Sequence, residues 1–191
     1  MKARINPINA PYSEDVTADF NTVMPPGMPP LSIFRTMAHN PRVLHRMITG
    51  GLLDEGSISV AQRELVILRA CGVCKAEYEW GVHVAIFGPK AGFSEAQIHD
   101  TTNEKSNSSL WDKSQNLIIA LVNQLHTDNQ VSDELWGKLS EEFAQEQLIE
   151  LVMLAGLYHA VSFVVNACKI QNEPFAPEFP ASVSKSASVP A

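Results

Sequence analysis

Between residues 31 and 170, apolar side chains recur at three- and four-residue intervals, the repeat of helices with one face turned toward a core. Leu117, Leu121 and Leu125 form one such stripe. No run combines period-two alternation with β-branched enrichment, and no internal repeat is found. The pattern predicts an all-α, single-domain bundle of about eight helices, at roughly 31–39, 41–53, 60–71, 75–91, 94–101, 109–127, 132–142 and 145–170. Local chemistry supports the starts. Ser59 with Gln62 and Ser94 with Gln97 have capping-box spacing, in which each side chain satisfies a free N–H at the helix entrance. Ser132 precedes Asp133 and Glu134, whose charges suit the positive end of a helix dipole. Pro41 fits a first helical position, and Gly92 after Lys90 fits an exit.

The two ends break the pattern. Half of the twelve prolines fall in residues 1–30, including Pro25-Pro26 and Pro29-Pro30. Proline has no N–H for helix or ladder bonds, so this segment is expected to be an extended arm. Residues 31–172 form the predicted helical domain. Residues 173–191 end in a Ser-, Ala- and Val-rich stretch, expected to be a loose tail.

Composition narrows the function. The net charge of −7, with no cluster of Lys and Arg, argues against nucleic acid and anionic membrane surfaces as partners. Three cysteines are too few, and odd in number, for a secreted disulfide framework. No apolar signal segment follows the basic N-terminal residues, so a cytoplasmic location is expected. Leu151 to Cys168 approaches membrane-spanning length, but Tyr158, His159, Ser162 and Asn166 lie within it. It is expected to be a helix buried in a protein or an oligomer, with His159 a satisfied core histidine or a pocket residue.

The unusual residues lie in the third and fourth predicted helices, Arg63-Glu64-Leu65-Val66-Ile67-Leu68-Arg69-Ala70-Cys71-Gly72-Val73-Cys74 and Glu77-Tyr78-Glu79-Trp80-Gly81-Val82-His83. Gly72 favours a helix junction near Gly72 to Cys74. At about 100° per residue, Glu79 and His83 fall between two apolar flanks of the fourth helix, while Glu77, Gly81 and Gly88 share the opposite gap, expected to face solvent. Glu79 and His83 are also i and i+4, so their side chains can meet. Glu64 sits in a helix that is apolar almost all round. Buried acids and an imidazole need partners, and their shifted pKa values suit acid–base work; a purely structural ion pair explains the same pattern. Cys71 and Cys74 have redox-type C-x-x-C spacing, with Cys74 expected near a helix N-terminus that would acidify it, though two small buried hydrophobes have the same spacing. As zinc ligands they supply only two of the usual four. His126 is expected at the surface or a helix end. Phosphate loops, nucleophile elbows and the H-E-x-x-H metal motif are missing.

The run Arg63 to Arg69, followed by Glu77-Tyr78-Glu79-Trp80-x-x-His83, resembles the carboxymuconolactone decarboxylase family. Pro30-Leu31-x-x-Phe34-Arg35-Thr36-Met37-Ala38-His39-Asn40-Pro41 and Gly156-Leu157-Tyr158-His159 resemble other parts of it. The resemblance implies an alkylhydroperoxidase-like helical fold and assembly into a homotrimer or homohexamer. The family includes lactone decarboxylases and thiol-dependent alkylhydroperoxidases. Laid on this chain, Glu64 and His83 match the peroxidase branch's glutamate and histidine. Its two cysteine positions fall on Ala76 and Glu79, with Tyr78 between them, and Cys71 and Cys74 are displaced five positions toward the N-terminus.

The resemblance thus points to the non-thiol branch: acid–base chemistry on a small carboxylated or lactone-type molecule by Glu64, Glu79 and His83, with Tyr78 positioning substrate. No metal or organic cofactor is implied. Two alternatives stand beside it, a peroxidase using Cys71 and Cys74, and a non-catalytic oligomeric binding protein.

Overall fold

Serine and aspartate side chains open most of the helices. Ser59, Ser94 and Asp112 complete capping boxes with Gln62, Gln97 and Gln115, and Ser13, Asn40 and Ser132 cap their helices with a single bond. The computed structural model describes residues 2–181, and among them the chain is all helical: α1 (Glu14–Val23), α2 (Ser32–Met37), α3 (Pro41–Thr49), α4 (Val60–Val73), α5 (Glu77–Ala91), α6 (Glu95–Asp100), α7 (Lys113–Asp128), α8 (Asp133–Glu142) and α9 (Gln145–Cys168), with a 3-10 turn at Ser108–Leu110.

The hub is α4. Every residue from Arg63 to Gly72 is buried, and the helix packs against α5, α7 and α9. Such all-round burial needs a run like Leu65-Val66-Ile67-Leu68, where each fully buried side chain stabilises the fold by about 1.5–3 kcal/mol. Arg69 in this run is paired throughout: Nε donates to Asn123 Oδ1 (2.7 Å), and Nη1 donates to the carbonyls of Thr101 (3.0 Å) and Asn103 (2.6 Å). The helix does end where expected, with Cys74 as C-cap. The glycine, however, serves packing: a Cβ on Gly72 would stand 2.2 Å from the Thr101 carbonyl oxygen.

The N-terminal arm is not extended throughout, as the prolines led us to expect. Between Pro11 and Pro25 the chain forms α1, capped by Ser13 with Glu14 and Asp15 in its first turn. Val16 and Phe20 bury themselves against Ala38 and Leu44, and Asp19 bonds His45 of α3 (2.8 Å). The local capping signal and the apolar spacing were sufficient for a helix; the proline count masked them.

The tail is not loose in its described part. Glu173 accepts from the Tyr78 hydroxyl (2.8 Å) and from the Ser32 N–H (2.5 Å), and the Phe179 N–H donates to Glu77 (2.8 Å). Residues 173–181 thereby strap over the face of α5 expected to meet solvent. Gly81 permits this, since a Cβ there would lie 2.3 Å from the Pro177 carbonyl oxygen. Residues 182–191 lie outside the described residues.

Helix α9 is long and apolar enough to cross a membrane by length and composition. Its Leu148, Leu151, Leu154, Ala155, Tyr158, Val161 and Val165 are buried, and the helix packs on α4, α5, α7 and α8. Ile149, Met153 and Phe163 are about two-thirds exposed on another side.

Candidate active site

Helices α4, α5 and α9 bring four polar side chains to one buried point. Glu64 is inaccessible to solvent because α4 is covered on all sides. Its Oε2 meets His83 Nδ1 at 2.7 Å, and its Oε1 accepts from Arg63 Nε at 3.0 Å. Arg63 is itself fixed by a bond to the Leu53 carbonyl (2.7 Å) and lies over the Phe87 ring. Glu79, one turn before His83 on α5, places Oε1 3.5 Å from His83 Nε2. The hydroxyl of Tyr158, from α9, lies 3.0 Å from the same nitrogen. Phe87 stacks on the imidazole, and the Tyr158 ring meets it edge-on.

The electrostatics follow from this packing. Burial alone would push the His83 imidazole down, but its bonds to Glu64 and Glu79 outweigh burial and raise it from 6.5 to about 9. At neutral pH His83 is therefore an imidazolium with both ring N–H groups donating. Nδ1–H goes to Glu64, and Nε2–H faces Tyr158 and Glu79. Burial, reinforced by Glu79, Cys71 and Glu64, holds the Tyr158 phenol well above its ordinary value, so it stays protonated. With its oxygen accepting from His83, its own O–H remains free to donate.

The cluster borders a cavity of about 630 Å³. Glu79, His83 and Tyr158 form its polar wall. Met24, Phe34, Leu52 and Phe87 are among its apolar lining residues. The arm also contributes, through Thr22, Val23, Pro25 and Met28. Glu79 Oε2 is buried and has no hydrogen-bond partner. An unpaired buried carboxylate oxygen costs free energy, and one beside a cavity is placed to meet a guest.

The expected residues divide into two groups. Glu64, Glu79 and His83 come together, Glu79 and His83 as their i and i+4 spacing suggested and Glu64 as the resemblance implied. Tyr78 does not join them: its hydroxyl bonds Glu173 and the Ile33 N–H (3.1 Å), away from the cavity wall. Those bonds tie α5 to α2 and the strap, so Tyr78 has a positioning role. Tyr158, which was not among the expected residues, stands at His83 and the cavity where Tyr78 was expected. The missed signal was a tyrosine in a nearly all-apolar helix, whose hydroxyl had to find a partner.

Neither Cys71 nor Cys74 borders the cavity. Cys71 is completely buried, and burial and the nearby Glu79 push its thiol well up. Cys74 sits at the C-terminal end of α4 rather than at a helix N-terminus, and burial raises its thiol too. The acidified thiolate that the C-x-x-C spacing suggested is not present, because the connection to α5 continues to Ala76 before that helix begins.

Comparison with known proteins finds similarity for both this all-helical fold and the stretch that carries the buried Glu–His–Glu cluster. Residues 41–123 match the family model of the carboxymuconolactone decarboxylase family, a stretch that holds Glu64, Glu79 and His83. The fold is similar to that of a Ralstonia eutropha protein described as an alkylhydroperoxidase AhpD core and uncharacterized peroxidase-related protein. The TM-score is 0.76 at 14% identity, over 89% of this chain and 93% of the other. A Silicibacter peroxidase-related protein is similar at a TM-score of 0.74 and 15% identity, over 91% and 93%. An Agrobacterium tumefaciens protein described as a putative antioxidant defence protein matches at 0.56 and 14%, over 69% and 87%. Among curated proteins none matches. Over residues 41–123 the chain is similar to the carboxymuconolactone decarboxylase family, and its fold is that of the alkylhydroperoxidase-like structures.

Proposed function

We propose that this protein is an acid–base enzyme acting on a small, largely apolar molecule that carries a carboxylate and a carbonyl or lactone group, with decarboxylation as its reaction. The observation that carries the reading is the unpartnered Glu79 Oε2 at the cavity wall, one hydrogen-bond shell from an imidazolium.

In loss of CO2, the bond from carbon to the carboxylate breaks and its electron pair passes into a carbonyl-stabilised enolate. A proton must then reach carbon. Tyr158, accepting from His83, directs its O–H into the cavity where the enolate oxygen would form; such preorganised donors stabilise developing charge without reorganisation. Glu79 relays the proton: it takes one from the His83 imidazolium, delivers it to the carbon that has lost CO2, and a proton from solvent restores the imidazolium. Glu64 holds the imidazole in orientation and keeps it charged. Lys90, the one Lys or Arg in the cavity wall among the described residues, suits the substrate carboxylate.

A second reading, thiol peroxidase activity, draws on the descriptions of the structural relatives. It requires Cys71 to react from a position sealed off from the cavity. Both readings are separated by one experiment. Purified protein is offered a panel of carboxylated lactones and, in parallel, alkyl hydroperoxides with a thiol reductant. Turnover of a lactone that is lost in His83→Ala supports the acid–base enzyme, and equal rates in both proteins refute it. Hydroperoxide consumption that disappears in Cys71→Ser establishes the peroxidase instead.

A further inference from the structure

At the C-terminal end of α4, three side chains converge that do not border the cavity and that the proposed chemistry does not use. Cys74 Sγ, at the end of α4, lies 3.8 Å from His126 Nδ1 on α7. His126 Nδ1 lies 3.0 Å from His159 Nε2 on α9. All three atoms are within 4.8 Å of one another. We propose that Cys74, His126 and His159 form a binding site for one borderline-soft transition-metal dication of the zinc(II) class, with a fourth position open to water.

Two of the three ligand separations fit this assignment closely, and the third, between Cys74 and His159, is within 4.8 Å. A tetrahedral zinc with metal–sulfur and metal–nitrogen bonds of about 2.3 and 2.05 Å separates S from N by about 3.6 Å and N from N by about 3.3 Å. The sulfur–nitrogen and nitrogen–nitrogen gaps found here, 3.8 and 3.0 Å, each need to change by only a few tenths of an ångström.

The ligands are also held as metal ligands usually are. His159 Nδ1 lies 2.8 Å from the Ala155 carbonyl oxygen, one turn back on α9. That carbonyl can only accept, so Nδ1 carries the proton and Nε2 presents its lone pair to the cluster. The Cys74 carbonyl accepts from Asn166 Nδ2 (2.8 Å), which fixes the end of α4 against α9. The Cys74 thiol must lose its proton to ligate the dication, so binding should release about one proton per metal. The C-x-x-C motif supplied only one of these three ligands. Cys71 points into the core, and the two histidines come from helices distant in sequence.

The site is tested on the full-length protein, stripped of metal with a chelator, by titration with Zn2+ followed by calorimetry and with Co2+ followed by absorption. We expect one metal per chain, a thiolate-to-Co2+ charge-transfer band, proton release and a higher melting temperature with Zn2+. Cys74→Ser should abolish the charge-transfer band, and His159→Gln or His126→Gln should weaken Zn2+ binding at least tenfold. Cys168→Ser, which alters a thiol outside the cluster, should change none of these. An unaltered charge-transfer band in Cys74→Ser, or equal Zn2+ affinity in wild type and all three ligand variants, overturns the proposal. So does the absence of stoichiometric binding in the folded wild-type protein.

Discussion

Glu64→Gln is the sharpest probe of the buried cluster, because it keeps shape and removes charge. Glutamine can still accept from His83 Nδ1–H, so packing around α4 and α5 is retained. What is lost is the anion responsible for the largest upward influence on the imidazole. In the wild-type protein the folded-state value near 9 exceeds the unfolded value of 6.5. Between these values the folded protein holds one proton that the unfolded chain does not, so stability falls as pH rises. The slope is about 1.4 kcal/mol per pH unit, and the total is roughly 3 kcal/mol, fully present below pH 6.5 and lost as pH passes through about 9. For a chain of this length that corresponds to a fall of roughly 6–12 °C in melting temperature. In Glu64→Gln the imidazole should drop by roughly 1–3 pH units, with Glu79 keeping part of the effect, and most of the slope should flatten. Denaturant unfolding at a series of pH values, together with NMR titration of the ring-labelled histidine, measures both quantities. A wild-type stability that is level from pH 6.5 to 9, or a His83 value unmoved by the substitution, would refute the coupling between Glu64 and His83.

Further outcomes are expected elsewhere. Glu79→Gln should leave the melting temperature within a few degrees of wild type but lower kcat on the lactone substrate by roughly 10²–10⁴-fold, the usual share of a positioned acid–base group; steady-state kinetics reads it. Lys90→Ala, at the exposed edge of the cavity, should raise KM by roughly 2–5-fold with kcat unchanged, as befits a solvent-screened ion pair. Gly72→Ala should destabilise the fold by roughly 1–3 kcal/mol in denaturant unfolding, because the added Cβ meets backbone at Thr101. We propose that the exposed apolar side of α9, bearing Ile149, Met153 and Phe163, is where subunits meet; Phe163→Glu should then lower the mass measured by light scattering, and a wild-type monomer would exclude the assembly.

Much of the helical layout was legible because it rests on local chemistry. Capping residues at Ser59, Ser94 and Ser132 set three starts, and the helix entered at Pro41 ends at Gly50 rather than at 53 because two successive glycines follow Thr49. The Glu79–His83 pair was legible for the same reason, since i and i+4 positions on a helix meet whatever surrounds them. What was not legible depends on contacts distant in sequence. Tyr158 reaches His83 across 75 positions, and Tyr78 is claimed by Glu173 across 95. Neither pairing leaves a mark on the spacing of either segment. Cys74 was read with Cys71, its neighbour in sequence, whereas folding gives it His126 and His159 as neighbours in space.

Because α1 and the turn after it form part of the cavity wall while Glu64, Glu79, His83 and Tyr158 stand on α4, α5 and α9, part of the cavity's shape is encoded apart from its chemistry. The first thirty residues can drift, and with them the outline of the guest that is admitted, without disturbing the proton-handling groups. Grafting a different leading segment onto the same bundle is therefore a direct route to altered selectivity, with the imidazolium and its acids carried along unchanged.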